Sequence, residues 1–116
     1  MIARKVTMSK TRVAKFGIGE VTRHRLCAMR GVIFDVDAVS RADGRGEQVS
    51  PQEAAHRNQP FYYLLAENDE VPYVAYIAEQ DLMPDGTGEP VAHPQVLDLF
   101  ERDEQGAYRR RRHMMH

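Results

Sequence analysis

The clearest alternation of apolar and polar residues lies at residues 15–37, KFGIGEVTRHRLCAMRGVIFDVD. A period of two is typical of a β-strand with one buried face, so this stretch predicts a β-hairpin. The first strand is expected at residues 21–26, the turn at residues 27–30 and the second strand at residues 31–37. The face of the second strand that is predicted to enter the core carries Val32, Phe34 and Val36.

The two strands of this hairpin carry opposite charges, because Arg23 and Arg25 stand on the first and Asp35 and Asp37 on the second. If the hairpin closes over residues 27–30, Arg23 lies opposite or diagonal to Asp35. An exposed cross-strand ion pair of this kind contributes about 0.2–1 kcal/mol. The pattern is therefore compatible with an internal ion pair as well as with an external contact.

A second hairpin is predicted from two aromatic stretches. Residues 61–67, FYYLLAE, and residues 73–79, YVAYIAE, are expected to be strands joined by a turn over residues 68–72. The bounding Pro60 and the acidic turn mark the ends of the first of these strands. A helical turn is expected next, at residues 80–83.

Two further helices are predicted outside the strands. The first begins at Ser50, which can cap a helix, with Pro51 at the first helical position and Glu53 closing a capping box. The last helix, PQVLDLFERD, is expected to follow His93 and to stop at Gly106.

The predicted fold class is mostly β, a small SH3-like barrel built from two antiparallel hairpins. A short helix precedes the second hairpin and another helix follows the barrel. The expected organisation is a disordered basic arm (1–14), the barrel (15–84), a linker with the C-terminal helix (85–108) and a basic tail (109–116).

Length and cysteine content fit this organisation. A chain of 116 residues predicts one domain with a modest core. No apolar run approaches ~18 residues, which excludes a membrane-spanning helix. Cys27 is the only cysteine, so no disulfide can form within the chain, as is typical of the reducing cytosol.

The near-zero net charge hides a strong asymmetry. Residues 1–30 contain eight Lys or Arg and one acid, and residues 31–108 contain four Arg and sixteen acids. Residues 109–112 are four consecutive arginines. Basic ends can contact nucleic acid, although they can also simply neutralise the acidic middle of the chain.

The residues predicted to contact DNA lie in the first hairpin. Phosphate contacts need exposed cations, and methyl discrimination needs an apolar pocket that touches one methyl group. The alternative is that these cations form only a solvated edge. The candidates are Lys15, Arg23, His24, Arg25 and Arg30.

The aromatic residues of the second hairpin predict a protein interface. Strand alternation requires some of these rings to point outward, and exposed rings suit a protein contact, whereas core packing accounts for the others. Acids border this hairpin and would repel DNA there. The interface candidates are Tyr62, Tyr63, Tyr73 and Tyr76.

The sequence does not indicate an enzyme or a cofactor. Cys27 and His24 stand near each other around a turn, but a nucleophile also needs an orienting group. Asp35 and Asp37 are expected on a solvated face rather than in a Mg²⁺ site. His113 and His116 supply only two ligands at the chain end, too few for a stable metal site.

Several stretches of the sequence, in the same order and at similar spacing, resemble those of the YccV-like hemimethylated-DNA-binding family, which includes heat shock proteins of the HspQ type. The resemblance covers about residues 15–108. It departs from the family pattern at Thr22, Ala38 and Tyr63. The matching stretches are KFGIG (15–19), RGVIFDVD (30–37), SPQE (50–53), QPFYYLLAE (59–67), YVAYIAEQDL (73–82) and HPQVLDLF (93–100).

The resemblance implies a cytoplasmic bacterial heat-shock accessory factor. Such proteins promote degradation of certain denatured proteins, including the replication initiator DnaA, by the ATP-dependent protease Lon. The alternative that it implies is a DNA-binding protein that prefers hemimethylated origin DNA. Self-association, with a trimer as the expected form, is also implied. A third reading is a Tudor-like module that binds RNA polymerase, but the order of the later strands favours the first family.

Overall fold

The computed structural model describes residues 13–38, 58–68 and 71–112. The predicted helix after Ser50 and the N-terminal arm up to residue 12 lie outside these ranges. No helix in the described ranges is long and apolar enough to cross a membrane. The elements are β1 (Val21–His24), β2 (Arg30–Asp37), β3 (Phe61–Asn68), β4 (Val71–Ala78), a 3-10 turn (Glu79–Asp81), β5 (Leu82–Pro84), α1 (Val96–Leu99), β6 (Phe100–Arg102) and β7 (Tyr108–Arg110).

One antiparallel sheet forms the body of the protein, with strand order β4-β3-β2-β1-β5. This confirms the prediction of a mostly β fold with two hairpins. Strand β5, which pairs with β1, was predicted as part of a helical turn. Within the described ranges no hydrogen-bonded pairing joins β4 to β5, so hydrogen bonds do not close the sheet into a barrel.

The register of the first hairpin differs from the prediction. Arg23 lies opposite Arg30, so the expected pair with Asp35 is wrong. The reason is that the first strand is shorter than predicted. It ends at His24, whose backbone N–H donates to the Met29 carbonyl oxygen, 2.9 Å away. The turn therefore begins two residues earlier than predicted.

A bulge in β2 explains a second difference. The pairing with β3 shifts between Ile33 and Asp35, which leaves Phe34 as the extra residue. Phe34 packs with the cluster that contains Val32, as regular alternation requires. The extra residue reverses the alternation beyond it, so Val36 packs with the cluster that contains Ile33 instead. The predicted shared face is therefore split between the two faces of the sheet.

Both faces of the central strands are covered, each by a separate cluster of buried hydrophobic residues. Strands β2 and β3 consequently contain consecutive buried residues rather than a strict alternation. The first cluster consists of Phe16, Met29, Ile33, Tyr62, Leu64, Ala66, Ala75 and Leu82. The second consists of Val32, Leu65, Val91, Val96, Phe100 and Tyr108.

The C-terminal region contains much less helix than predicted. Helix α1 is one turn, Val96–Leu99, and β6 and β7 then form a small hairpin. Phe100 and Tyr108 are 0% and 6% exposed, so their burial against the main sheet holds the chain in this hairpin. The prediction of helix at residues 100–103 is therefore wrong, and residues 109–110 of the predicted basic tail belong to strand β7.

The turn of this small hairpin has its own local signal. The Asp103 carboxylate accepts hydrogen bonds from the backbone N–H groups of Gln105 and Ala107, each at 2.9 Å. Gly106 has φ 90°, a conformation that favours glycine. Aspartate and glycine here form a β-turn rather than marking the end of a helix.

Gly19 fixes the position of the C-terminal hairpin. Its φ is 93°, and a Cβ atom there would overlap the backbone carbonyl oxygen of Tyr108. We expect Gly19→Ala to reduce the free energy of unfolding by about 1–3 kcal/mol, because backbone has to shift. Urea denaturation measures this. Gly17→Ala is the matched control, since a Cβ atom at Gly17 meets nothing within 4 Å. Equal stability of the two variants would contradict the prediction.

Candidate nucleic-acid interface

Arg30 is an internal cation rather than an exposed one. Its guanidinium nitrogens lie 2.8 Å from a carboxylate oxygen of Glu67 and 2.8 Å from one of Asp85. They also donate to the backbone carbonyl oxygens of Glu89 and Pro90, at 2.6 and 3.0 Å. Its side chain is 21% exposed. The structure thus places this predicted DNA contact in a network that links β2 to β3 and to the segment after β5.

The charges in this network stabilise one another. Burial alone would raise the pKa of the Asp85 carboxyl, but hydrogen bonds from Arg30 and Thr87 outweigh it and hold that pKa below its usual value. Burial likewise opposes the charged form of Arg30, and its two carboxylate partners overcome this and raise its pKa. Both groups therefore stay charged at neutral pH.

Three of the predicted DNA contacts remain exposed. Arg23, Arg25 and Lys15 are solvent-exposed, and in the part of the chain that the structure describes none of these side chains forms an ion pair. Arg25 donates from Nε to the Gln80 carbonyl oxygen at 2.9 Å, which orients its guanidinium without neutralising it. Arg23 and Arg25 are thus the unneutralised cations of the first hairpin and its turn.

His24 has a structural role in the same turn. The ring is half-buried, and Nδ1 accepts a hydrogen bond from the backbone N–H of Leu26 at 3.0 Å. This bond closes the turn that presents Arg25. We therefore regard His24 as a positioning residue for its arginine neighbours rather than as a contact to a ligand.

A groove runs beside Arg23, between the turn after β1 and the segment after β5. One wall is apolar and is formed by Cys27, Ala28 and Met29. Residues of the Arg30 network also line the groove. The lining residues are Arg23, Cys27, Ala28, Met29, Arg30, Glu67, Asp85 and Thr87. The sequence does not reveal this apolar wall, because it forms only when the turn packs beside a segment that follows β5.

Two of the tyrosines predicted at a protein interface are used inside the fold. Tyr62 is 0% exposed and its hydroxyl donates to Glu79 at 2.7 Å, so this prediction is wrong. Burial, reinforced by Glu79, raises the pKa of Tyr62 to about 12. The hydroxyl of Tyr76 donates to Asp37 at 2.8 Å, which places that acid in the interior rather than on the predicted solvated face.

The other two tyrosines differ from each other. Tyr63 is half-buried, with its ring centroid 4.6 Å from that of Tyr76. Tyr73 is 36% exposed and keeps the predicted surface position. Val71 and Val74 on the same strand are also exposed, by 62% and 54%, so the exposed apolar part of β4 extends beyond Tyr73.

The C-terminal arginines are held against the fold. Arg110 donates from Nη2 to the Phe34 carbonyl oxygen at 3.1 Å. Arg109 lies 3.7 Å from Asp103 and Arg111 lies 3.8 Å from Glu101. The charges of Arg109 and Arg111 are therefore partly neutralised, whereas the hydrogen bond of Arg110 to a carbonyl oxygen orients its guanidinium without neutralising it. The histidines considered as metal ligands, at positions 113 and 116, lie outside the described residues.

Replacing Asp85 with Asn tests the Arg30 network. The substitution preserves the shape of the side chain but leaves Arg30 without one carboxylate, so we expect the free energy of unfolding at pH 7 to fall by about 1–3 kcal/mol. Urea denaturation gives this value. Asp98→Asn, at an exposed position of α1, is expected to have no effect.

The stability of the wild type and that of Asp85→Asn are expected to depend differently on pH. Because the folded-state pKa of Asp85 is depressed, its stabilisation is present above the unfolded value of about 3.9 and is lost as pH falls through the folded value. The wild type should therefore lose stability below about pH 5 more steeply than Asp85→Asn. Identical slopes in this range would contradict the assignment.

Comparison with known families identifies the chain. A family model described as hemimethylated DNA-binding protein YccV like matches residues 14–107. The match includes both hairpins, the Arg30 network, and strand β6 with the turn that follows it, and it ends one residue before β7. The protein belongs to the YccV-like family.

Proposed function

We propose that the protein binds double-stranded DNA through phosphate contacts from Arg23 and Arg25. The observation that supports this most is that the arginines of the first hairpin differ in whether they are paired with a carboxylate. Arg30 is neutralised by two internal carboxylates, whereas Arg23 and Arg25 are exposed and without an ion pair in the described ranges. The family description, which names hemimethylated DNA, points to the same class of ligand.

The charge distribution orients the duplex on the first hairpin. Residues 58–101 contain nine Asp or Glu and no Lys or Arg, so the second hairpin repels phosphate. The DNA would consequently contact the turn after β1 and the strand that carries Arg23. Lys15 adds a third cation, but its backbone N–H lies 2.8 Å from the Glu79 carboxylate, which weakens its attraction for phosphate.

We assign the preference for hemimethylated DNA to the groove beside Arg23. Its apolar wall of Cys27, Ala28 and Met29 is the kind of surface that a base methyl group contacts. Arg23 lines the same groove and would hold the adjacent phosphate. Binding of this kind requires no catalytic group, in keeping with a non-enzymatic protein.

The salt dependence of DNA binding tests this assignment. Each phosphate contact contributes about 0.9 to the slope of log K against log salt concentration. We expect Arg23→Ala and Arg25→Ala each to reduce the slope by about that amount. Fluorescence anisotropy of one labelled duplex, prepared unmethylated, hemimethylated and fully methylated, measures slope and preference together.

Arg102→Ala provides the matched control. Arg102 lies on β6, and its guanidinium lies over the Tyr108 ring at 5.7 Å. It is not among the residues that line the groove beside Arg23, so we expect the slope to stay unchanged. Affinity for heparin equal to that for DNA would contradict the proposal. Equal affinity for all three duplexes would contradict only the methyl assignment.

A second function is supported by a different surface. Three exposed apolar side chains on β4, those of Val71, Tyr73 and Val74, suit a protein partner rather than DNA. We propose that this surface serves a heat-shock accessory role in the degradation of denatured proteins, including DnaA, by the ATP-dependent protease Lon. Self-association as a trimer and a cytoplasmic bacterial location belong to the same proposal.

A degradation assay tests the accessory role. We expect the purified protein to raise the initial rate at which Lon degrades heat-denatured DnaA, because the protein would bring the unfolded chain to the protease. The rate is followed by loss of the substrate band in the presence of ATP. Native DnaA is the control and should be degraded at a less affected rate. An unchanged rate for the denatured substrate would contradict the accessory role.

A further inference from the structure

Leu26 lies in the turn between β1 and β2, and its side chain is 85% exposed. Among the large apolar residues of the described ranges, only Val13 is more exposed. The neighbours of Leu26 in sequence, Arg25 and Cys27, are exposed as well. The turn therefore holds an apolar side chain in solvent, next to one of the two cations assigned to DNA phosphates.

Hydrogen bonds hold this turn in place. The backbone N–H of Leu26 donates to His24 Nδ1 at 3.0 Å. The backbone N–H of Arg25 donates to the Asp81 carbonyl oxygen at 2.9 Å, and its Nε donates to the Gln80 carbonyl oxygen at the same distance. Because the backbone at Leu26 and the guanidinium beside it are already positioned, little ordering is required of the turn when it meets a ligand.

The charges near Leu26 indicate which ligand its side chain meets. A single exposed leucine is common on protein surfaces, and Leu97 of α1 is an example. Leu26 differs because Arg25 adjoins it and Arg23 lies three residues before it, both exposed and without an ion pair in the described part of the chain. Where these arginines contact phosphates, the apolar side chain beside them faces the stacked bases of the duplex.

We propose that Leu26 is a wedge that inserts between two adjacent base pairs and kinks the duplex. This inference rests on the DNA binding proposed above and deepens it, because it gives the turn a contact with the bases themselves. An inserted leucine partly unstacks a base step, and the kink lets the DNA contact more of the protein. Pyrimidine–purine steps unstack most readily, so the preferred substrate has a TA or CA step at the point of insertion.

Energy transfer between dyes at the two ends of a duplex measures the kink. The probe is a duplex of about 20–30 base pairs with a TA step at its centre. We expect saturating wild-type protein to raise the transfer efficiency of this duplex, and to raise it less when the centre is a stiff A-tract. 2-Aminopurine fluoresces more strongly when it is unstacked. Placed at the TA step, it is expected to brighten when the protein binds.

Leu26→Ala tests the residue itself. Truncation removes the inserting atoms, so we expect the rise in energy transfer to be largely lost and the affinity for the TA duplex to fall about tenfold. The salt slope should keep its wild-type value, because leucine makes no phosphate contact. Leu26→Met keeps an apolar side chain of similar size and should retain the kink.

Leu97→Ala is the matched control. It makes the same truncation at a leucine that is 59% exposed, on α1, and should change neither the kink nor the affinity. Urea denaturation of both variants is expected to give the wild-type free energy of unfolding, because both side chains are exposed. A lost kink in Leu26→Ala then reports on the DNA complex rather than on folding.

The salt slope separates this inference from the proposed function. If Arg23→Ala reduces the slope but wild type neither kinks the TA duplex nor brightens 2-aminopurine, the wedge is overturned and DNA binding stands. Equal kinks in wild type and Leu26→Ala also overturn the wedge, as does a lost kink in Leu97→Ala. A reduced slope in Leu26→Ala would assign the leucine to holding the arginines and overturn it too. If wild type binds no duplex, both proposals fail.

Discussion

The ion network of Arg30 is the interaction on which the arrangement of the molecule depends. It joins β2 to Glu67, 37 residues away on β3, and to Asp85, 55 residues away after β5. Side chains at this depth are costly to charge unless they are paired, so the three segments have to meet in one geometry. That geometry places the segment after β5 beside the turn of the first hairpin. It thereby creates the groove, beside which Arg23 lies exposed, with Arg25 exposed in the adjoining turn.

The same constraint explains why the binding residues were only partly predictable from sequence. Arg23, Arg25 and Arg30 have similar local contexts, and only the distant Glu67 and Asp85 distinguish the structural arginine from the exposed ones. Tyr62 likewise looks like its neighbour Tyr63 until Glu79 and the first cluster bury it. Residue type predicted the kind of chemistry, whereas long-range contacts decided which residues can perform it.

The fold shows a similar division between local and distant information. The strands with long apolar patterns, β2, β3 and β4, were predictable because period and turn residues specify them. The bulge at Phe34 was not, since an extra residue in a strand leaves no mark on composition. Residues after Leu99 read as a helix because Leu and Phe recur with helical spacing. Burial of Phe100 and the turn at Asp103 and Gly106 override that local preference.

The two buried clusters determine where the proposed surfaces can lie. Both faces of the central strands β2 and β3 contribute residues to a cluster, which leaves little exposed apolar surface there in the described ranges. Binding is therefore confined to the ends and edges of the sheet. Arg23 and Arg25 are the exposed cations of the first hairpin, whereas Val71, Tyr73 and Val74 along the first half of β4 are exposed apolar residues. Because cations attract phosphate and apolar side chains do not, the two proposed surfaces depend on different residues, and DNA bound at Arg23 and Arg25 would not need the apolar residues of β4.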